Sequence, residues 1–269
     1  MEKKNNNYFI SQTQLINDIL QKFKVTNIRK AKTPCTDENG LTKDNTPFDK
    51  TTFKSAVGSL TYLSRCTRPY ISYAIGKAAR KAENPTMNDW KKVINILKYL
   101  NYTKNYKIEY KGKGEILAYT DSDLAGDPVD RKSTSGYIIL MNKDPICWQS
   151  KKQSVVATST AESEYIATGE CIKKALWIRN ILIELFNIKK PIKILTDNLA
   201  SKTTIENGEI NNKLKHIDIK YHFNYDNIKN NKVLMEYINT KEMLADPLTK
   251  NINGSKMTQF TDQIFYKTF

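Results

Sequence analysis

Three strand-like segments in succession, followed by one long helix, constrain the fold of the second half of the chain more than any other feature. Short apolar segments bounded by turn residues or charges predict strands over residues 114–121, 135–142, 145–152, 191–198 and 232–239. Apolar side chains at helical spacing predict helices over 160–185, 199–207, 213–229 and 241–251. The order βββ-α-β-α-α-β-α predicts an α/β fold in which helices cover a mixed sheet.

The sequence of the first 113 residues predicts a different kind of region, mainly helical and strongly basic. Apolar spacing predicts helices near residues 15–23 and 88–100, and two more that break at Arg68-Pro69. The chain has a formal net charge of +15; residues 1–113 carry 22 Lys and Arg against 9 Asp and Glu, and residues 114–269 carry 21 against 19. This excess of positive charge favours a polyanionic partner, and nucleic acid is the first candidate. An AT-rich genome, which favours Lys and Asn codons, would also raise the Lys content.

Cysteine usage and hydropathy exclude several classes. The four cysteines lie far apart, without the spacing of a zinc site or a redox pair, so a reduced intracellular chain is expected. Neither a signal peptide nor an apolar run of about 20 residues is present in the sequence, so no membrane partner is expected.

Acidic residues stand out at the strand ends and helix turns of the basic chain. Asp121 and Asp197 end predicted strands, Glu164 lies near the start of the long helix, and Asp246 lies in the last helix. In this layout the four can meet at one sheet edge, where ligands bind. Clustered carboxylates repel and are stable mainly with cations bound, and oxygen ligands favour Mg²⁺ or Mn²⁺. Taken singly, a strand-end Asp is as often a turn former, and a helix Glu is most often solvated.

Several motifs in this order resemble a known family. DSDLAGDPVDRKSTSGYI, CWQSKKQSVVATSTAESEYIA, ILTDN, KHIDIKYHF and NTKEMLADPLTK are similar to the ribonuclease H region of copia-type retrotransposon Pol polyproteins. Upstream, YFISQTQLINDILQKF, VGSLTYLSRCTRPYISYAI and NDWKKVINILKYLNYT resemble the end of the reverse transcriptase, beyond its palm. The resemblance implies a remnant of the palm, thumb and connection over 1–113, a ribonuclease H-like domain with a mixed five-stranded sheet over 114–251, and a tail over 252–269.

The resemblance also implies an activity, hydrolysis of the RNA strand of an RNA–DNA hybrid with two Mg²⁺ or Mn²⁺ ions. Asp121 and Asp197 would hold the ion that activates water; Asp121, Glu164 and Asp246 would hold the ion at the leaving 3′ oxygen. The chain contains no Asp-Asp pair, so no polymerase activity is expected from it alone. Two other interpretations stay open: a non-catalytic nucleic-acid-binding remnant, and a fragment active only with its missing palm.

Polar and basic side chains around these acids are the predicted contacts to nucleic acid. They are Arg131, Lys132, Ser133 and Thr134 in one turn, Lys151, Lys152 and Gln153 in another, Asn198 beside Asp197, and Lys91 and Lys92 on helix 88–100. His216 and His222 are expected to be structural, and Trp148 and Trp177 to lie in the core. The family's life cycle implies cytoplasmic particles and then the nucleus, with the rest of the Pol polyprotein as a possible partner.

Overall fold

The computed structural model describes residues 1–25, 29–36, 44–207 and 218–267, and the chain divides into two units. Unit 1 consists of Met1–Gly112 together with Asn251–Phe269, and unit 2 consists of Lys113–Lys250. Across these described ranges, no helix combines the length and apolar content that a bilayer crossing needs.

Unit 1 is built mainly from helices around an apolar core. Its elements are β1 (Glu2–Lys4), β2 (Asn7–Ile10), α1 (Thr13–Lys22), α2 (Lys50–Cys66), α3 (Ser72–Ala79), α4 (Met87–Thr103) and β3 (Ile108–Tyr110). The predicted break between α2 and α3 is confirmed, because a 3-10 turn starts at Pro69. Helix α4 begins with a capping box in which Thr86 and Asp89 bond each other's backbone N–H groups. The mainly helical character of this region is therefore as predicted.

The segment expected to be a tail contains a further helix, Gly254–Ile264, which belongs to unit 1. Its apolar side chains Met257, Phe260 and Ile264 are buried. The ring of Phe265, the residue that follows, lies 5.3 Å from the ring of Tyr70. The weak sequence pattern of this segment hid an amphipathic helix.

Unit 2 contains the predicted mixed five-stranded sheet. Its strands are β4 (Ile116–Asp123), β5 (Thr134–Met141), β6 (Asp144–Lys152), β7 (Ile192–Thr196) and β8 (Val233–Tyr237), in the order β6-β5-β4-β7-β8. The first three strands are antiparallel neighbours, whereas β4, β7 and β8 run parallel. Asn142 and Lys143 join β5 to β6 with positive φ angles of 52° and 70°, as the twist of a two-residue hairpin requires.

Helices flank this sheet, as predicted for the fold class. They are α5 (Thr160–Phe186), α6 (Leu199–Asn207), α7 (Asp218–Lys229) and α8 (Asp246–Thr249). Ser159 caps the start of α5 by accepting a hydrogen bond from the Glu162 N–H, and Asn187 ends it in the left-handed conformation. The part of the predicted helix 213–229 that precedes Asp218 lies outside the described residues.

Two sequence expectations for unit 2 were wrong. The helix predicted over 241–251 is a 3-10 turn, Thr240–Glu242, followed by the four-residue helix α8. Pro247 explains why no continuous helix runs from residue 241, because proline fits only the first turn of a helix and so α8 begins at Asp246. Trp177 is not in the core: its side chain is 54% exposed, and the Lys174 ammonium lies 3.7 Å from its ring centroid.

Candidate active site

Neighbouring parallel strands bring two of the predicted acids to one edge of the sheet. Tyr119 of β4 is paired with Leu195 of β7, and Asp121 and Asp197 each follow two residues later. Glu164 lies in the second turn of α5, which packs on β4. One carboxylate oxygen from each of Asp121, Glu164 and Asp197 lies within 4.8 Å of the other two. These three carboxylates, the acidic triad, could hold a metal ion.

The acidic triad lines an open, polar cleft of about 420 Å³. Ser122, Asn198 and Lys250 contribute further polar groups to its wall. Asp121 and Glu164 are almost fully buried, whereas Asp197 is half-buried. The protein therefore shields the carboxylates of Asp121 and Glu164, which line the cleft, from most of the surrounding water.

Glu164 shows most directly that the triad suits a cation. Its Oε1 accepts a hydrogen bond of 3.2 Å from the Ser122 N–H. Its Oε2 is buried and has no hydrogen-bond partner among the described residues. Burial, followed by repulsion from Asp121 and Asp197, raises the pKa of Glu164 to about 8. A buried carboxylate oxygen without a donor is costly, and a divalent ion would satisfy it.

Asp121 is held by donors on α8 and just beyond it. Its Oδ2 accepts a hydrogen bond of 2.5 Å from the Thr249 hydroxyl and lies 3.2 Å from the Lys250 ammonium. Burial, helped by the charges of Asp246 and Asp197, raises the pKa of Asp121 to about 6 against the lowering effects of Lys250 and Thr249. The carboxylate therefore sits in a fixed orientation although its charged form is disfavoured.

The fourth predicted acid, Asp246, lies beside the triad but is not part of it. It begins α8, is 2% exposed, and its Oδ1 lies 2.7 Å from the Lys250 ammonium. Burial alone would lower the pKa of Lys250, but the charges of Asp121 and Asp246 outweigh it and raise that pKa. Lys250 thus links Asp246 to Asp121. The sequence analysis missed this lysine, although an acid and a lysine four residues apart often form an ion pair on a helix.

A glycine in β5 allows α8 to approach the acids. Gly136 is paired with Asp121 across the sheet. A Cβ atom on Gly136 would lie 2.7 Å from Thr249 Cγ2 and 2.8 Å from Leu248 Cβ. Such distances are too short for carbon atoms, so only glycine lets this segment pack here. Gly136 was also missed, although a glycine inside a strand signals the close approach of another segment.

Three of the residues predicted to contact nucleic acid have interior side chains. Ser133, Thr134 and Gln153 are all buried. The Ser133 hydroxyl accepts a hydrogen bond from the Ala125 N–H, and Gln153 Nε2 donates to the Ser135 hydroxyl and the Ser163 carbonyl. The polar groups of Ser133 and Gln153 therefore form hydrogen bonds with the loop, the neighbouring strand and α5 inside the protein. Buried side chains are not available to a duplex, and a contact of these residues with nucleic acid through backbone atoms stays a prediction.

The remaining predicted contacts in unit 2 differ in exposure. Arg131 and Lys151 are exposed, and Lys132 is half-buried. The Lys152 ammonium lies 2.7 Å from carboxylate oxygens of both Asp127 and Asp130, so its charge is already compensated.

Asn198 has a defined local role. Its Oδ1 accepts a hydrogen bond of 2.9 Å from the Ser201 N–H, which caps α6, and the residue also lines the cleft. It is therefore held next to Asp197.

In unit 1, the two lysines predicted to bind phosphate have acidic neighbours. Lys91 lies 3.4 Å from Asp44, and Lys92 lies 4.0 Å from Asp89. Of the two histidines, His222 is exposed on α7 and His216 falls outside the described residues.

The sheet order, the antiparallel-then-parallel strands and the acidic triad at the shared edge define a ribonuclease H-like domain, preceded by a mainly helical region. No family model matches the sequence. The chain is 35% identical over 264 residues to the retrovirus-related Pol polyprotein from transposon TNT 1-94 of Nicotiana tabacum, covering 95% of this chain and 20% of that protein. It is 33% identical over 261 residues to the corresponding polyprotein from transposon RE1 of Arabidopsis thaliana, covering 95% and 18%. The chain belongs to the copia-type retrotransposon Pol polyproteins.

The chain spans about a fifth of the length of these curated relatives. Among solved structures, it is similar to LC11-RNase H1, isolated from compost by a metagenomic approach, with a TM-score of 0.39 and 16% identity. That match covers 51% of this chain and 93% of the other.

Proposed function

We propose that this chain is a metal-dependent endonuclease that hydrolyses the RNA strand of RNA–DNA hybrids, as part of a retrotransposon reverse transcriptase. The observation that carries the proposal is the acidic triad, in which one oxygen from each residue lies within 4.8 Å of the others and the buried Glu164 Oε2 has no donor in the described part of the chain. Membership of the Pol polyprotein family supports the same reaction. Four acids with one lysine among them are otherwise an unfavourable arrangement in a domain interior.

Asp121, Glu164 and Asp197, with Asp246 beside them, would hold two Mg²⁺ or Mn²⁺ ions in this proposal. Oxygen-only ligands and an open cleft suit these hard cations. Bound there, the ions supply a polarised water as nucleophile and stabilise the charge that develops on the leaving 3′ oxygen.

The chain's own residues orient the carboxylates and exclude water from part of their surface. The Ser122 N–H fixes Glu164, and the Thr249 hydroxyl fixes Asp121. No side chain forms a covalent bond to the substrate, so the protein contributes mainly by positioning a phosphate and a water.

Exposed basic side chains are the proposed contacts to the hybrid. Arg131 and Lys151 are exposed, and Lys132 is half-buried. Asn198 lines the cleft beside Asp197, where it would reach a sugar or a base edge of the hybrid. Lys91 and Lys92 of unit 1 are proposed as weaker phosphate contacts, because each has an acidic neighbour.

The test is cleavage of a labelled RNA–DNA hybrid by the full chain in Mg²⁺ or Mn²⁺, compared with Asp121→Asn and Glu164→Gln. We expect both variants to lose more than the ~10- to 100-fold typical of removing a residue that only supports a metal ligand. Glu170→Gln is the matched control, because Glu170 lies on the same helix, partly exposed and paired with Lys173. A well-folded Asp121→Asn variant that cleaves like the parent would refute the proposal.

The same assay separates the two other interpretations. Tight, salt-sensitive binding of the hybrid without cleavage would indicate a binding remnant. Cleavage that starts only when the upstream polymerase region is added would indicate a fragment that depends on that region.

A further inference from the structure

One ammonium group lies between two of the four acids. Lys250 Nζ is 2.7 Å from Asp246 Oδ1 and 3.2 Å from Asp121 Oδ2. The two carboxylate side chains are 3% and 4% exposed, whereas the lysine side chain is 34% exposed. Lys250 therefore reaches from the rim of the cleft and ends on two buried acids.

The segment that carries Lys250 is fixed at both its start and its end. Asp246 and Pro247 open α8, and the Lys250 N–H donates to the Asp246 carbonyl at 3.1 Å. Thr249 packs against Gly136 of β5 while its hydroxyl binds Asp121. Because the backbone of this segment is fixed, the Lys250 ammonium is held next to Asp121 and Asp246.

The acids divide into two groups around Asp121. On one side, Asp121, Glu164 and Asp197 present oxygens within 4.8 Å of one another, and Glu164 Oε2 has no donor among the described residues. On the other side, Asp121 Oδ2 and Asp246 Oδ1 share the Lys250 ammonium. No cationic side chain among the described residues pairs with Glu164 or Asp197, whereas Lys250 already pairs with Asp121 and Asp246.

We propose that Lys250 is a positioning residue that acts as a built-in counter-ion, so that it competes with a second divalent ion for the edge formed by Asp121 and Asp246. The acidic triad then takes one divalent ion tightly, and a second ion binds well only when the ammonium moves away. This inference rests on the proposed function, because it concerns the same carboxylates. It adds that the resting chain is a one-ion site.

Ion counting on the full chain, without nucleic acid, tests the inference. Mn²⁺ binding is measured by calorimetry and by the paramagnetic resonance signal of free Mn²⁺, for the parent, Lys250→Met and Lys250→Arg. We expect one tight ion in the parent and in Lys250→Arg, which keeps the positive charge. In Lys250→Met a second ion should bind at least about tenfold more tightly than in the parent, because a positive charge a few ångströms away is removed.

Lys193→Met is the matched control for the loss of a positive charge. Lys193 also bridges two carboxylates, Glu115 at 2.9 Å and Glu236 at 3.4 Å, and its side chain is 35% exposed. It lies at the other end of β7 from Asp197, so its substitution should leave the ion count and the affinities unchanged.

Three results would overturn the inference: two equally tight ions in the parent, no change in Lys250→Met, or no bound Mn²⁺ in any variant. The first result needs no variant, so it holds even where Lys250→Met folds poorly. Hybrid cleavage is scored separately. A parent that cleaves but binds two equal ions leaves the nuclease proposal standing and removes this one, whereas a parent that binds one ion without cleaving does the reverse.

Discussion

The buried carboxylate of Glu164 should make the metal-free protein less stable as the pH rises. Its folded pKa is about 8, against an ordinary value of 4.5. Below pH ~4.5 the group is protonated in both states and contributes nothing. Between about 4.5 and 8 the unfolded chain releases the proton while the folded chain keeps it, so the free energy of unfolding falls. Above about 8 the destabilisation is complete.

The size of this effect follows from the difference between the two pKa values. At about 1.4 kcal/mol for each pH unit, the full destabilisation is about 5 kcal/mol, and the part that develops between pH 5 and pH 8 is about 3–4 kcal/mol. Glu164→Gln removes this pH-dependent destabilisation. The buried amide changes the free energy of unfolding by an amount that does not depend on pH. Asp121, with a pKa raised to about 6, should leave a weaker slope of the same sign.

The assay is urea unfolding from pH 5 to 8.5 in EDTA, with Glu170→Gln as the control on the same helix. A Trp90→Phe background leaves Trp148 and Trp177 as fluorescence probes of unit 2. We expect the parent and the control to lose stability in parallel, and Glu164→Gln to lose about 3–4 kcal/mol less. Parallel curves for all three proteins would refute the assignment of a strongly raised pKa to Glu164.

Three substitutions away from the acidic triad give further predictions. Gly136→Ala forces a Cβ to within 2.7 Å of Thr249, so chemical unfolding should show that the free energy of unfolding falls by about 1–3 kcal/mol, and hybrid cleavage should fall too. In the control Gly169→Ala, the new Cβ meets only the Asn224 amide side chain at 3.2 Å, so the loss of stability should be smaller. Arg68→Met leaves two backbone carbonyls without their donor at a fully buried position, and it should destabilise unit 1 by about 2–4 kcal/mol, which hydrogen exchange would localise. Lys152→Met should cost about 1 kcal/mol or less, and the difference from the parent in thermal unfolding should shrink at high salt.

Periodicity was enough to predict the elements that build the sheet. The five strands and the long helix carry strong apolar patterns, and these are the elements that place Asp121 and Glu164. The positions of strand ends and helix turns indicated the four acids, and the family resemblance added their catalytic roles. The boundaries near Asp246 were predicted less well, because Pro247 interrupts the predicted helix and α8 begins only at Asp246.

Other features depended on burial, which residue type alone does not determine. Ser133 and Gln153 read as polar surface residues, but the loop and strand partners they satisfy lie inside the protein. Trp177 read as a core residue, but it faces solvent under Lys174. The position of Lys250 between two acids follows from the packing of α8 on Gly136, a contact between segments more than a hundred residues apart in sequence.

The most direct test of the central claim is to incubate the full chain with a hybrid whose RNA and DNA strands carry different labels. With Mg²⁺ or Mn²⁺ we expect cuts in the RNA strand only, leaving 5′-phosphate and 3′-hydroxyl ends, and no cuts in EDTA. The DNA strand, and an all-DNA duplex of the same sequence, should stay intact. An intact RNA strand, in a reaction where the folded chain binds the hybrid and the metal, would contradict the account.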